Sequence, residues 1–230
     1  MTPKKQLFFT ALFLLASTPQ NKAQAATFIA GLQGGYGHGH AETTSAYEGQ
    51  TDHPVPAKRR SGVHGPLGGL FLGTDFEIGE KCILGLEANG FLSSIKDTEI
   101  ITNTSTPNST TDIINQKLKS SLDVLLKLAY RLDPIALYFK VGPSYGWWHF
   151  KSTLSDIPIK YAKKKGLFGV KFAFGVEGDI VKNLAWGIEY NHTFLQSHTF
   201  QRPFDATNAT PHRVKPNYGA ILVRVMYKFR

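Results

Sequence analysis

The chain has 230 residues, 42% of them hydrophobic and 19% charged, and its 26 Lys and Arg against 17 Asp and Glu give a formal net charge of +9. That length suits one domain, and a single cysteine, Cys82, excludes an internal disulfide and any cysteine-based metal site. No second apolar run approaches the roughly 20 residues of a spanning helix, so membrane insertion is open only to strands, which are short and half apolar.

The first residues have the layout of an export signal. Lys4 and Lys5 precede an apolar stretch, Leu7 to Ala16, and Ala23-Gln24-Ala25 places small residues at the cleavage positions. A signal peptide over residues 1–25 is expected, leaving 26–230 as the folded domain. The leader holds Lys4, Lys5 and Lys22 and no acid, so its removal lowers the formal charge from +9 to +6. Without a cysteine directly after the leader, no lipid anchor is expected. Export also excludes nucleic acid as a partner, despite the basic balance.

Behind the leader, eight segments alternate between an apolar and a polar face, the period of a strand. The first sets Phe28, Ala30, Leu32 and Tyr36 against Gly31, Gln33 and Gly35. The second sets Leu70, Leu72, Phe76 and Ile78 against Phe71, Gly73, Asp75 and Glu77. In the third, Cys82, Leu84, Leu86, Ala88 and Leu92 oppose Gly85, Glu87, Asn89 and Ser93. The fourth is the longest: Leu118, Leu122, Val124, Leu126, Leu128, Tyr130 and Leu132 oppose Lys119, Ser121, Asp123, Lys127 and Arg131. The fifth, from Ile135 to Trp147, turns Tyr138, Lys140, Gly142 and Ser144 to the polar side, and the sixth does so with Lys171, Gly175, Glu177 and Asp179. The seventh sets Leu184, Trp186, Ile188 and Tyr190 against Gly187, Glu189, Asn191 and Thr193. The last sets Ile221, Val223, Val225, Tyr227 and Phe229 against Leu222, Arg224, Met226 and Lys228.

The connections alternate too. Gly79 to Lys81, Asp133-Pro134 and Val181 to Asn183 are tight turns, whereas Ala41 to Gly62, Ile95 to Asn115, Ser152 to Lys165 and Gln196 to Arg213 are long and polar. The predicted fold is an all-β, eight-stranded antiparallel up-and-down transmembrane barrel with short periplasmic turns and long outer loops. A soluble barrel with the apolar face inward is the alternative, but eight strands enclose too little space for so many Phe, Tyr and Trp rings. Glycines on the polar face also suit a crowded lumen.

On that face lie seven acids, Asp75, Glu77, Glu87, Asp123, Glu177, Asp179 and Glu189, and seven bases, Lys119, Lys127, Arg131, Lys140, Lys171, Arg224 and Lys228. Equal numbers of opposite charge in a narrow lumen predict ion pairs and a plugged interior, because buried charges persist only when paired. Tyr36, Phe91, Tyr130, Trp147, Trp148, Trp186, Tyr190 and Tyr227 are placed near strand ends as interfacial girdles. Outside the membrane, Lys58, Arg59 and Arg60 in the first loop and Lys160, Lys163, Lys164 and Lys165 in the third form an outer basic patch suited to the phosphates of lipopolysaccharide or to a host-surface polyanion. His38 and His40 share a strand face and could share a metal, though rim polarity explains them as well. His192 beside Thr193 is the nearest approach to a hydrolytic pair. No acid orients it, and neither catalysis nor a cofactor is expected.

The ending Val225-Met226-Tyr227-Lys228-Phe229-Arg230 resembles the C-terminal aromatic signature of outer-membrane barrels, and with the leader and the Gly-rich first strand the chain is similar to the small eight-stranded barrel superfamily. That group includes the OmpA transmembrane domain, OmpX, Opa-type adhesins and porin-like surface proteins. The resemblance implies an integral outer-membrane location and handling by the barrel assembly machinery through Tyr227 and Phe229. It further implies a monomer with a structural or surface-interaction role, a narrow channel being the alternative. Arg230 departs from the pattern by following the terminal aromatic. No peptidoglycan-binding domain follows, so wall anchoring is not expected.

Overall fold

The computed structural model describes residues 26–45, 57–103, 110–154, 160–201 and 211–229, and the leader lies outside them. Ten strand segments run in chain order: β1 (Thr27–Ser45), β2 (Ala57–Ile78), β3 (Cys82–Ser93), β4 (Lys96–Asn103), β5 (Thr110–Leu132), β6 (Ile135–Leu154), β7 (Lys160–Val181), β8 (Leu184–Leu195), β9 (His198–Gln201) and β10 (Pro211–Phe229). All pairings are antiparallel, and β1 pairs with both β2 and β10. This closes a ring of eight positions, β1-β2-β3-β5-β6-β7-β8-β10, in which β4 prolongs the wall beyond β3 and β9 prolongs it beyond β8. Closure leaves no open edge within the ring of eight, as a wall facing hydrocarbon requires.

Alternation decides the two faces. Leu126 is 51% exposed, whereas its neighbour Lys127 is 1% exposed. Along the ring Leu32, Leu72, Leu86, Leu128, Phe139, Phe174, Ile188 and Val225 face outward, while the charged residues between them are enclosed. A soluble protein would not present such a wall to water. Leu126→Arg should therefore cost about 2–4 kcal/mol in urea unfolding from lipid vesicles, the depth-dependent cost of a cation on a lipid-facing wall. A cost near zero would place that wall in water.

Two expectations are corrected. The four long connections are shorter than the polar stretches suggested, because the ladder runs on into them: Ser45 pairs with Ala57, Asn103 with Thr110, Thr153 with Lys160 and Gln201 with Pro211. Beyond the apolar band the outward face turns polar, with His64, Lys96, Lys117 and His149, so the lipid-facing alternation ends although main-chain pairing persists. The second correction lies in β5, where the register shifts between Leu118 and Ser120. Two residues there oppose one on β6, a β-bulge that reverses the inward set above it. Leu118, read as lipid-facing, is buried, and Lys119, read as lumenal, is exposed.

Candidate functional site

The enclosed charges stack in decks. Nearest the tight turns, Arg131 donates to Glu77 at 2.6 Å and Lys228 pairs with Asp179. These pairs belong to the barrel mouth rather than its interior, since Glu77 and Asp179 remain exposed. Above them the Lys127 ammonium donates to Asp75 at 3.0 Å and to both carboxylate oxygens of Glu177 at 2.8 and 2.9 Å. In the next deck two cations share two acids. Lys140 donates to Glu87 and Glu189 at 2.8 Å each, and Arg224 spans the same pair at 2.8 and 2.9 Å. The Tyr138 hydroxyl donates to Glu189 at 3.1 Å. Higher still, Lys171 pairs with Asp123, while Gln33 donates to Asn89 at 2.8 Å. Every acid placed on the polar face thus has a cationic partner, and Lys119 alone among the seven bases stands outside the lumen.

Aromatic faces complete the lattice. The Arg224 guanidinium lies 3.9 Å from the Phe71 ring centre and the Lys140 ammonium 4.6 Å from that of Tyr138, both within cation–π range. Glycines make room for these rings: a Cβ on Gly175 would meet the Tyr138 hydroxyl at 2.5 Å, and one on Gly31 would meet Phe71 at 2.4 Å.

The hairpin end of the lumen is apolar, which the charge pattern did not suggest. Leu118, Trp148, Phe150, Leu167, Leu195, Val214, Tyr218 and Leu222 form one buried cluster above Lys171, together with Val63, Leu67, Phe91 and Ile95. Phe91 and Trp148, assigned to the interfacial girdles, belong to this plug, and Lys171 lies 4.7 Å from the Phe91 ring centre. A signal for it exists in the sequence. At Trp147-Trp148, Leu167-Phe168 and Ile221-Leu222, neighbouring residues on opposite faces are both apolar, which puts an apolar side chain on the inward face as well. Tyr36, Tyr130, Trp147 and Tyr227 do face outward.

Other candidate residues are dispersed. His192 faces outward, its ring 4.4 Å from that of Phe194, while Thr193 is buried in the lumen, so the two point to opposite sides of the wall. His38 is exposed on the outer wall. Among the described residues no group of three or more His, Cys, Asp or Glu is arranged to hold a metal. In the third hairpin, Lys163 and Lys165 pair with the inward residues Phe150 and Trp148, whereas Lys164 pairs with His149 on the outer wall. Alternation thus divides that basic cluster between two faces. The side chains of Lys58, Arg59, Arg60 and Lys160 lie outside the described residues.

A closed eight-position barrel, apolar outside and ion-paired within, is the architecture of a transmembrane barrel of the outer membrane. Residues 8–229 match the family described as outer membrane protein beta-barrel domain, and the chain belongs to that family. No curated protein matches it. Among solved structures it is similar to the outer membrane protein OprG from Pseudomonas aeruginosa, at 14% identity and a TM-score of 0.54, over 90% of this chain and 97% of that one. It is also similar to the outer membrane protease OmpT from Escherichia coli, at 10% identity and a TM-score of 0.53, over 90% and 99%. The attachment invasion locus protein Ail of Yersinia pestis matches at 11% identity and a TM-score of 0.40, over 86% and 98%. At these identities the likeness is one of fold alone.

Proposed function

We propose that this chain is a non-enzymatic outer-membrane protein with a structural and surface-interacting role. The barrel spans the membrane as a monomer after insertion by the barrel assembly machinery, which reads Tyr227 and Phe229. Its extended hairpins and basic residues engage lipopolysaccharide and anionic surfaces outside the cell. The closed lumen carries this reading: the ion decks and the apolar plug fill the barrel, and a wide aqueous pore needs about sixteen strands.

One observation favours the channel reading instead. Asp123 Oδ1, Ser144 Oγ, Asn191 Oδ1 and Thr193 Oγ1 are buried and lack a protein hydrogen-bond partner, so polar atoms that water would satisfy line the lumen at the level of Lys171. The test compares cells producing the protein with cells producing a variant in which Lys160, Lys163, Lys164 and Lys165 are all Gln. Binding to an immobilised sulfated polysaccharide should weaken as salt rises, because exposed charges are screened beyond about 10 Å at 0.1 M, and should be lost in the variant. Reproducible unitary conductance of the purified protein in planar bilayers would overturn the reading in favour of a channel.

A further inference from the structure

The outer wall carries a groove. Between Leu70, Leu92, Leu122 and Trp147 a groove of about 550 Å3 opens on the lipid-facing side, floored by Gly68 and Gly90. That volume lies within the roughly 300–1,000 Å3 of small-molecule sites. The inward glycines are forced by packing: a Cβ on Gly69 would lie 2.0 Å from the Gly90 carbonyl oxygen. The two floor glycines are not. A Cβ on Gly68 would sit 3.6 Å from its nearest neighbour and one on Gly90 3.5 Å, both ordinary contacts. The wall therefore lacks side chains where the fold has room for them.

Each strand that borders the groove runs outward into a basic residue. On β2, Gly68 is followed outward by His64; beyond Leu92 on β3 comes Lys96 at the start of β4; beyond Ser120 on β5 come Lys119 and Lys117; beyond Trp147 on β6 comes His149. The pairing register sets these side by side. His64 pairs with Lys96, Lys96 with Lys117, Lys117 with His149, and His149 with Lys164 on β7. A continuous row of five basic residues thus crosses five strand segments above an apolar groove. Among the side chains the structure describes, no carboxylate is ion-paired with Lys96, Lys117, Lys119 or Lys164. The β5 bulge, which turns Lys119 out of the lumen, is what brings that lysine into this group.

From this juxtaposition we infer that the outer wall of β2–β6 is a binding site for one outer-leaflet lipid with a phosphorylated headgroup, an acyl chain lying in the Gly68–Gly90 groove and phosphate held by Lys96, Lys117, Lys119 and His149. The inference rests on the outer-membrane reading above and names the lipid that the wall takes. Charge complementarity fixes the class: cations at the level of the headgroups attract anions, and the groove below is lined mainly by hydrocarbon. An outer-leaflet lipid supplies both parts in the required order. Lys163 and Lys165, on the other face of β7, take no part.

The experiment is native mass spectrometry of the detergent-solubilised protein loaded with bisphosphorylated lipid A, with dephosphorylated lipid A or with phosphatidylcholine. The wild type should retain one bisphosphorylated molecule per barrel. Retention should fall at least tenfold with dephosphorylated lipid A, and equally for Lys96→Gln/Lys117→Gln/Lys119→Gln with the phosphorylated lipid. Gly90→Leu, whose Cβ meets only Leu122 at ordinary contact distance, should also lose it tenfold, and Gly68→Leu is the second groove variant. Heat-modifiable gel migration establishes that each variant is folded. Equal retention of all three lipids overturns the inference, as does loss in the lysine variant with full retention in a folded groove variant. Polysaccharide binding by cells, which depends on Lys160 to Lys165, would survive such a failure, so the two readings fail separately.

Discussion

Arg224→Met should remove on the order of 3–5 kcal/mol of folding free energy, the cost of taking one partner from a buried ion pair. Arg224 is 1% exposed and bridges Glu87 and Glu189, at 2.8 and 2.9 Å. Without it two carboxylates in one deck share the single ammonium of Lys140, and mutual repulsion adds to the loss of solvation. Methionine retains much of the bulk against Phe71, so the loss reports charge rather than volume. Urea unfolding in lipid vesicles measures it. Adding Glu87→Gln to Arg224→Met should restore part of the stability, since each substitution removes a charge that the other leaves unbalanced, and such non-additivity is the mark of direct coupling. A loss below about 1 kcal/mol, the level of an exposed pair, would mean that water reaches this deck.

Trp148→Ala should cost a similar amount, about 3–5 kcal/mol, for a different reason: it empties a packed site. The ring is 0% exposed, stacks on Phe150 at 6.3 Å between centroids and meets Tyr218 edge-on at 6.4 Å. Its neighbours are strand residues whose backbone is tied into the barrel, so the space cannot collapse. Trp148→Phe keeps most of that volume and should be much milder. The contrasting control is Trp147→Ala on the outer wall, where lipid fills the gap. If the Trp148 and Trp147 variants were equally mild, the plug would not be a packed core.

Much of the barrel was legible in the residues alone, because period-two alternation is local and the cost of turning a charge into hydrocarbon is large. Lys127 between Leu126 and Leu128, or Glu189 between Ile188 and Tyr190, leaves one choice of face. The same reasoning placed the acids and bases opposite one another in kind, since a narrow interior cannot hold unpaired charge. It failed where the rule stops being local. On the hairpin extensions the outward face turns polar, so the lipid-facing signature of the strands ends there, and Lys119 was misplaced because one additional residue in β5 reverses every position above it. Phe91 and Trp148 were sent to the girdles because proximity to a strand end does not say which side of the wall a ring occupies.

By itself, then, the amino-acid order determined the wall: which side meets lipid, how many times the chain crosses and where the tight turns fall. Only the tertiary structure decided the partners. Lys140 and Glu87 are separated by 53 residues and Arg224 and Glu87 by 137, and nothing in either local pattern joins them. They meet because closing the ring at β1 and β10 fixes the stagger of every strand against its neighbours, and that stagger sets which inward side chains share a level. The same closure aligned His64, Lys96, Lys117, His149 and Lys164 into one row on the outside, an arrangement that exists only once the sheet has rolled.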